Sequence, residues 1–339
     1  MIKEKLEAWY ALHHRQLPWR NEPSAYRVWL SEIILQQTRV EQGRSYYERF
    51  VTRFPNVEIL AAASQDEVMQ LWQGLGYYSR ARNLHAAAQQ IVAAGRFPET
   101  YDEVRRLRGV GDYTAAAICS IAYNQPCAVV DGNVYRVLSR LFAIATPIDT
   151  TTGKRTFAKL AQEQLDKKRP GLYNQAIMDF GAMVCTPLSP HCGECPLAAQ
   201  CMAHAAHEET KYPLKSRRTA VATRFFVYVY VRRNGHVLWH RRAGNDIWRG
   251  LYEPYLAEFP HQPSPGELIA LPVVGQATML RTVALQQKHV LTHRRLYADF
   301  YMADVPTDFK APDGYVWTDE AELGNYAVPR LVELLLEKM

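Results

Sequence analysis

Cys185, Cys192, Cys195 and Cys201 lie in the segment CTPLSPHCGECPLAAQC, spaced Cys-x6-Cys-x2-Cys-x5-Cys. Four thiolates in so short a stretch converge on something cationic or cross-link one another. The opening residues MIKEKLEAWY lack the apolar core of a signal peptide. A cytoplasmic setting is therefore expected, and a reducing cytosol disfavours disulfides. A metal centre remains. Four sulfurs suit either zinc or an iron–sulfur cluster, and one CxxC with two outlying cysteines leaves both open. Cys119, among Ala, Ile and Ser in a helical run, reads as a small core residue.

Two carboxylates also have chemical potential. In VWLSEIILQQTRV a helix puts Tyr26, Trp29, Leu30, Ile33 and Ile34 on a core stripe. Glu32 falls on another face, with Val28, Leu35 and Gln36 as helical neighbours. A solvated glutamate is the default there. Its flanks Val28 and Leu35 are apolar, however, and a pocket on that face would raise the carboxyl pKa and suit it to general acid work. In AVVDGNVYRVLSRL, Asp131 precedes a helix that starts near Val134. Capping alone would explain an aspartate at that place; a carboxylate facing a nucleic-acid groove would also fit. Between them lies LRGVGDYTA, where Gly109 and Gly111 separate two helical stretches. Such a hairpin can aim backbone N–H groups at a phosphate from the start of the following helix, or be an ordinary helical turn. GLGYYSRARNL, Gly74 to Leu84, joins glycines, two tyrosines and two arginines, which suits a loop presenting an aromatic ring and cations to DNA. Either tyrosine could equally be core.

The elements that carry these residues divide near residue 215. Before it, apolar residues recur at helical intervals, as in Ile59–Met69, Leu84–Ile91 and Val134–Phe142, and an all-helical domain is expected. After it, TRFFVYVYVRRNGHVLWHRR reads as strand, an Asn234-Gly235 hairpin turn, and strand again. Leu296–Met302 reads as strand and Val328–Lys338 as a closing helix, so the second domain is α+β. The expected division is residues 1–205 helical, a polar linker over 206–220, and 221–339 as the second domain. The 339 residues suffice for two cores. The net charge of +6 leans weakly toward a polyanionic partner. The longest apolar run, Phe225 to Val231, is too short to span a bilayer, so no membrane partner is expected.

Taken in order, LPWR (Leu17–Arg20), SEIILQQT (Ser31–Thr38), GLGYYSRARNL, GVGDYTA, VDGNV and the cysteine segment resemble the MutY-type adenine DNA glycosylases. That family belongs to the helix-hairpin-helix superfamily that includes endonuclease III. The likeness is motif by motif over the first two-thirds and looser beyond.

The resemblance implies an all-α helix-hairpin-helix glycosylase domain with a [4Fe–4S] loop over residues 185–201, followed by a Nudix-like α+β domain. It makes the four cysteines the cluster ligands. Glu32 becomes the acid that protonates adenine at N7, and Asp131 the carboxylate that supports the oxocarbenium-like sugar. Asn133 and Tyr113 would line that site. Bifunctional relatives carry a lysine where Tyr113 stands; a phenol cannot form the Schiff base, so a monofunctional enzyme is implied. Gln37 and Tyr77 would wedge beside the lesion base, Gly109 and Gly111 would grip phosphates, and the hairpin carbonyls would hold a monovalent cation. WRGLYEPY matches a Nudix signature, but no glutamate-rich box follows Leu251, so pyrophosphatase activity is not expected. Leu291-Thr292-His293 matches the loop that recognises 8-oxoguanine, with His289 close by. Arg108 stands where many hairpins have proline, and Tyr135 where some members carry a basic residue. The implied partner is duplex DNA with adenine opposite 8-oxoguanine or guanine, bound by a monomer. An endonuclease III-like glycosylase/lyase and a non-catalytic DNA-binding scaffold are the competing readings. Tyr113 and the second domain argue against the first, and the intact Glu32 and Asp131 against the other.

Overall fold

The computed structural model describes residues 2–21, 23–216 and 221–339. Contacts divide the chain into two units, 1–62 with 83–218, and 63–82 with 219–339. Residues 63–82, helical by sequence pattern, thus group with the second unit. Residues 217–220 of the expected linker lie outside the described residues. Part of the rest packs on the helical unit: Leu214 accepts from the Ile148 amide at 3.0 Å, and the Ser216 amide donates to Asp149 at 2.9 Å.

The first unit is helical. Ser24 caps the helix Ala25–Leu35 by accepting from the Arg27 amide. The expected stripe of Tyr26, Trp29, Leu30, Ile33 and Ile34 is buried. The helices Tyr101–Arg105 and Asp112–Tyr123 form the hairpin, the first closed by a Thr100/Glu103 capping box. Gly132–Leu141 and Pro170–Met183 share a core built on Val134, Val137, Leu138, Ile177 and Phe180. These two helices approach closely. A Cβ on Gly181 would lie 2.7 Å from the Asn133 Cβ, so the glycine sets the distance at which Asn133 sits. No helix among the described residues is long and apolar enough to cross a membrane.

The second unit is built on a seven-stranded sheet. Strands β1 (Ala222–Arg233), β2 (His236–Arg241), β3 (Tyr252–Glu253), β4 (Tyr255–Phe259), β5 (Met279–Leu291), β6 (Arg294–Asp304) and β7 (Tyr315–Asp319) appear in that chain order. The main path runs β3-β2-β1-β6-β5, with β4 also pairing β1 and β7 pairing β2. Asn234 and Gly235 make the two-residue turn between β1 and β2, both with positive φ, as that turn requires. β1 and β6 are parallel, Phe226 opposite Ala298. One face packs Phe226, Tyr228, Trp239, Phe300 and the closing helix Arg330–Leu336; the other packs Val227, Val229, Leu238 and Val273. The expected helix over Val328–Lys338 is thus present but shorter, since Pro329 precedes its first turn.

Candidate active site and iron–sulfur loop

Glu32, Tyr113 and Asp131 meet in the helical unit, each from a different element. The Tyr113 hydroxyl hydrogen-bonds the Glu32 carboxyl, and the Asp131 charge is felt at Glu32. Desolvation is the dominant influence on Glu32 and pushes it up to about 7; Tyr113 and the more distant Arg20 hold it down. The Glu32 carboxyl is therefore desolvated on a half-buried residue, not on a freely solvated surface. Tyr113 is itself raised well above a free phenol, chiefly by burial, and its hydroxyl also lies 3.4 Å from the Met178 sulfur.

Asp131 is the N-cap of Gly132–Leu141. Its Oδ1 accepts from the Val134 amide at 2.8 Å and its Oδ2 from Asn133 Nδ2 at 2.8 Å. Burial raises its pKa against the pull of those bonds. The capping role is thus filled by a side chain that is itself largely desolvated. Asp131 is fixed in direction before any substrate arrives, and the two carboxyls have unlike surroundings: one poised near neutrality, the other braced by two donors.

Arg136 escaped the sequence reading. Its Nη2 donates to Asn133 Oδ1 at 2.8 Å and to the Gly181 carbonyl at 2.5 Å, while its Nε donates to the Cys185 carbonyl at 2.6 Å. One guanidinium therefore ties the residue that braces Asp131 to the first cysteine of the metal loop. The available signal was its i+3 spacing from Asn133 on a helix. Arg136→Gln should keep the fold yet slow any chemistry that uses Asp131 by about tenfold, since each charged hydrogen bond lost is worth roughly 1.5–3 kcal/mol and part of that positions Asp131. Single-turnover rates alongside the melting temperature check this; a lower melting temperature with an unchanged rate would limit Arg136 to stability.

Below this site, Asp179 is fully buried between Arg15 and Arg20, which reach it at 2.5 and 2.7 Å. The LPWR arginine is thus a structural clamp as well as a positive charge near Glu32. Tyr135 packs edge-on against Phe157 and belongs to the core.

In the hairpin, Gly109 has φ +77°, and a Cβ there would sit 2.7 Å from the Asn83 Cβ, so only glycine fits. Gly111 is the N-cap of Asp112–Tyr123 in ordinary extended conformation. It offers no side-chain cap to the first amides of the helix that follows. Arg105 donates to the Val110 carbonyl at 2.9 Å and pairs with Asp112 at 2.5 Å, so one hairpin carbonyl already has a cationic partner.

The cysteine loop fits a cluster better than a single ion. Four sulfurs around one zinc stand about 3.8 Å apart, from Zn–S bonds near 2.3 Å. Among the described residues, the one set of three donors within 4.8 Å of one another is Cys192, His204 and Glu209, so no three of the four cysteine sulfurs close to that spacing. A larger, multinuclear cationic core suits them. Arg140, 2% exposed, supplies a buried cation beside the loop: Nη1 lies 3.4 Å from Cys185 Sγ and 2.7 Å from the Thr186 carbonyl, and Nη2 bonds the Pro187 carbonyl at 2.8 Å. No carboxylate pairs with Arg140 among the described residues, and a buried charge needs compensation.

In the second unit, Thr292 and His293 form the exposed two-residue turn between β5 and β6, bracketed by the Leu291–Arg294 pair. The Tyr77 hydroxyl hydrogen-bonds the Thr292 hydroxyl. Both border a cavity of about 510 Å³ that Trp248, Leu291 and Arg294 also line. Tyr77 is 44% exposed, whereas Tyr78 is core and accepts from the Gly74 amide. His289 lies against Trp248, 6.1 Å between rings, and burial lowers its pKa. It is distinct in place from His293. Gln37 is exposed with φ +58°, just past the end of Ala25–Leu35. Glu253, in the Nudix-like signature, is 2% exposed and held by Arg242 at 2.7 Å, so it is not free to bind magnesium.

Residues 30–163 match the HhH-GPD superfamily of base excision DNA repair proteins, 185–201 the iron-sulfur binding domain of endonuclease III, and 227–338 the NUDIX domain. The adenine DNA glycosylase of Buchnera aphidicola subsp. Baizongia pistaciae is 31% identical over 301 residues, covering 85% of this chain and 82% of that protein. The chain belongs to the adenine DNA glycosylase family. The Arabidopsis thaliana adenine DNA glycosylase is 42% identical over 248 residues, 63% of this chain but 39% of its own; the chain spans about two-fifths of the length of such plant and mammalian relatives. A thermostable thymine-DNA glycosylase structure superposes with a TM-score of 0.56 at 24% identity, covering 60% of this chain and 95% of that one, which is a likeness of fold. The helix-hairpin-helix fold, the Nudix-like second domain and the iron–sulfur loop expected from sequence are all present in this family member.

Proposed function

We propose that this chain is a monofunctional base-excision glycosylase that hydrolyses the N-glycosidic bond of adenine opposite 8-oxoguanine or guanine in duplex DNA. The observation that carries this reading is the pairing of Glu32, poised near 7, with Asp131, braced by Asn133 and the Val134 amide. The adenine leaves the helix to enter the pocket. Protonated Glu32 gives its proton to N7, and the C1′–N9 electrons depart with the purine. Asp131 faces the positive charge that develops on the sugar, and water adds at C1′. Tyr113 bonds Glu32 but offers no amine, so no Schiff base forms and the strand stays intact.

Gly109 and the helix start after Gly111 seat phosphates, and a monovalent cation at the same hairpin is part of the reading. Gln37 and Tyr77 wedge beside the lesion pair. Cys185, Cys192, Cys195 and Cys201 hold a [4Fe–4S] cluster, which when bound supplies cross-linking of the loop rather than hydrolytic chemistry. The chain acts as a monomer in the cytoplasm, organised as residues 1–205, a linker over 206–220, and 221–339. The decisive experiment is single-turnover base release from duplexes with adenine opposite 8-oxoguanine, adenine opposite guanine, and thymine glycol. Release of adenine from the first two and nothing from the third is expected. Thymine glycol as the preferred substrate would replace this reading with an endonuclease III-like one; no release from any would leave a DNA-binding scaffold.

8-Oxoguanine differs from guanine at N7–H and at the C8 oxygen. The Thr292 hydroxyl and His293 imidazole, exposed on one turn, suit those two positions. Loss of such contacts costs on the order of 1–3 kcal/mol of discrimination each. Thr292→Ala with His293→Ala should therefore slow excision opposite 8-oxoguanine far more than opposite guanine, with residual excision on both. Equal losses in side-by-side single-turnover rates would reduce the turn to a structural element.

A further inference from the structure

Residues 74–78 form a turn with three positive-φ positions. Gly74 and Gly76 have φ of +88° and +76°, which suits glycine, but Tyr77 has φ +48°. A bulky side chain rarely adopts that conformation without something to hold it. The same tyrosine is the exposed ring of the turn.

What holds it is a buried cation. The Arg80 guanidinium lies 5.0 Å from the Trp72 ring centroid and 5.4 Å from that of Tyr77, within cation–π range of both. Its Nη2 donates to the Gly76 carbonyl at 3.2 Å, an oxygen that also accepts from Trp72 Nε1 at 3.0 Å. The Arg80 amide donates to the Tyr77 carbonyl at 2.8 Å. Arg80 is only 7% exposed, so it is badly placed for a phosphate contact. Burial lowers its pKa to about 10, which leaves it charged at neutral pH. A planar fork that stacks on rings while bonding a carbonyl is a task for arginine, and lysine does not reproduce it.

We propose that Arg80 is a positioning residue for lesion recognition: stacked between Trp72 and Tyr77 and bonded to Gly76, it presets the Tyr77 ring for insertion beside the lesion pair. This rests on the reading of Tyr77 as the wedge. A preset ring avoids ordering at the moment of binding, so its loss appears in recognition of the lesion duplex.

The test is a double-mutant cycle on the full chain with its cluster. Single-turnover adenine excision opposite 8-oxoguanine is measured for wild type, Arg80→Lys, Tyr77→Ala and the double variant. Arg80→Lys should slow excision by about tenfold yet add nothing once Tyr77 is alanine. The salt dependence of DNA affinity should not change, because lysine keeps the charge and residue 80 does not meet phosphate. The same slowing from Arg80→Lys in the Tyr77→Ala background, or no slowing in the wild-type background, overturns the proposal. Wild-type rates for Tyr77→Ala would instead overturn the wedge reading itself. If Arg80→Lys does not fold, as judged by melting temperature and iron content, Arg80→Gln goes through the same cycle with the same criteria.

Discussion

Glu32→Gln should bind duplexes containing adenine opposite 8-oxoguanine and release almost no adenine. Glutamine keeps the shape of the side chain and can still bond the Tyr113 hydroxyl, so the pocket should persist. It has no proton to give to N7. General acid catalysis is typically worth about 10²–10⁴-fold, and the loss here belongs at the upper end because neutral departure of a purine depends on that proton. The pH profile of the wild type carries the same information. Burial holds Glu32 at about 7, and the active form is the protonated one. The excision rate should therefore be flat below about 7 and fall roughly tenfold per pH unit well above it, the opposite of what a general base at this position would give. Single-turnover rates across neutral pH, with DNA affinity measured in parallel, check both statements. Excision by Glu32→Gln at near wild-type rates would remove Glu32 from the mechanism.

Asp131→Asn separates the observed capping role of Asp131 from the chemical role proposed for it. As an N-cap, asparagine serves about as well as aspartate, since its side-chain oxygen can still accept from the Val134 amide. The stability change should stay within about 1 kcal/mol, the rough worth of the single bond from Asn133 that an amide group would lose. The chemical job needs a negative charge opposite a cationic sugar, and a neutral amide cannot supply it. Removing one preorganised electrostatic stabiliser typically costs about 10²–10³-fold. Excision should therefore collapse while the melting temperature barely moves. A proportionate fall in both would mean that Asp131 is a cap and no more.

Much of this was legible in the sequence because it is local. The Asn234-Gly235 turn follows from residues that tolerate positive φ, and the buried stripe of Ala25–Leu35 from helical spacing alone. Glu32 could be placed on a face flanked by Val28 and Leu35, but its desolvation required the tertiary neighbours Tyr113 and Asp131, which come from other elements. The cysteine spacing left zinc and a cluster open; the separation of the sulfurs and the match of 185–201 to an iron-sulfur binding domain argue for the larger group. Arg136 offered only its i+3 spacing from Asn133, and Arg80, expected among the cations presented to DNA, is instead buried; the surroundings of each depend on partners such as the Cys185 carbonyl and the Trp72 ring. The parallel pairing of β1 and β6 joins segments far apart in the chain, which no local pattern encodes.

The most direct test of the chemistry is the identity of the products from one turnover on adenine opposite 8-oxoguanine, read by mass spectrometry without heat or alkali. Free adenine and an uncut strand bearing a hydrated abasic sugar are expected if Glu32 and Asp131 act as proposed, since Tyr113 offers no amine. A strand already cut by elimination, or a covalent adduct trapped by borohydride through residue 113, would contradict it.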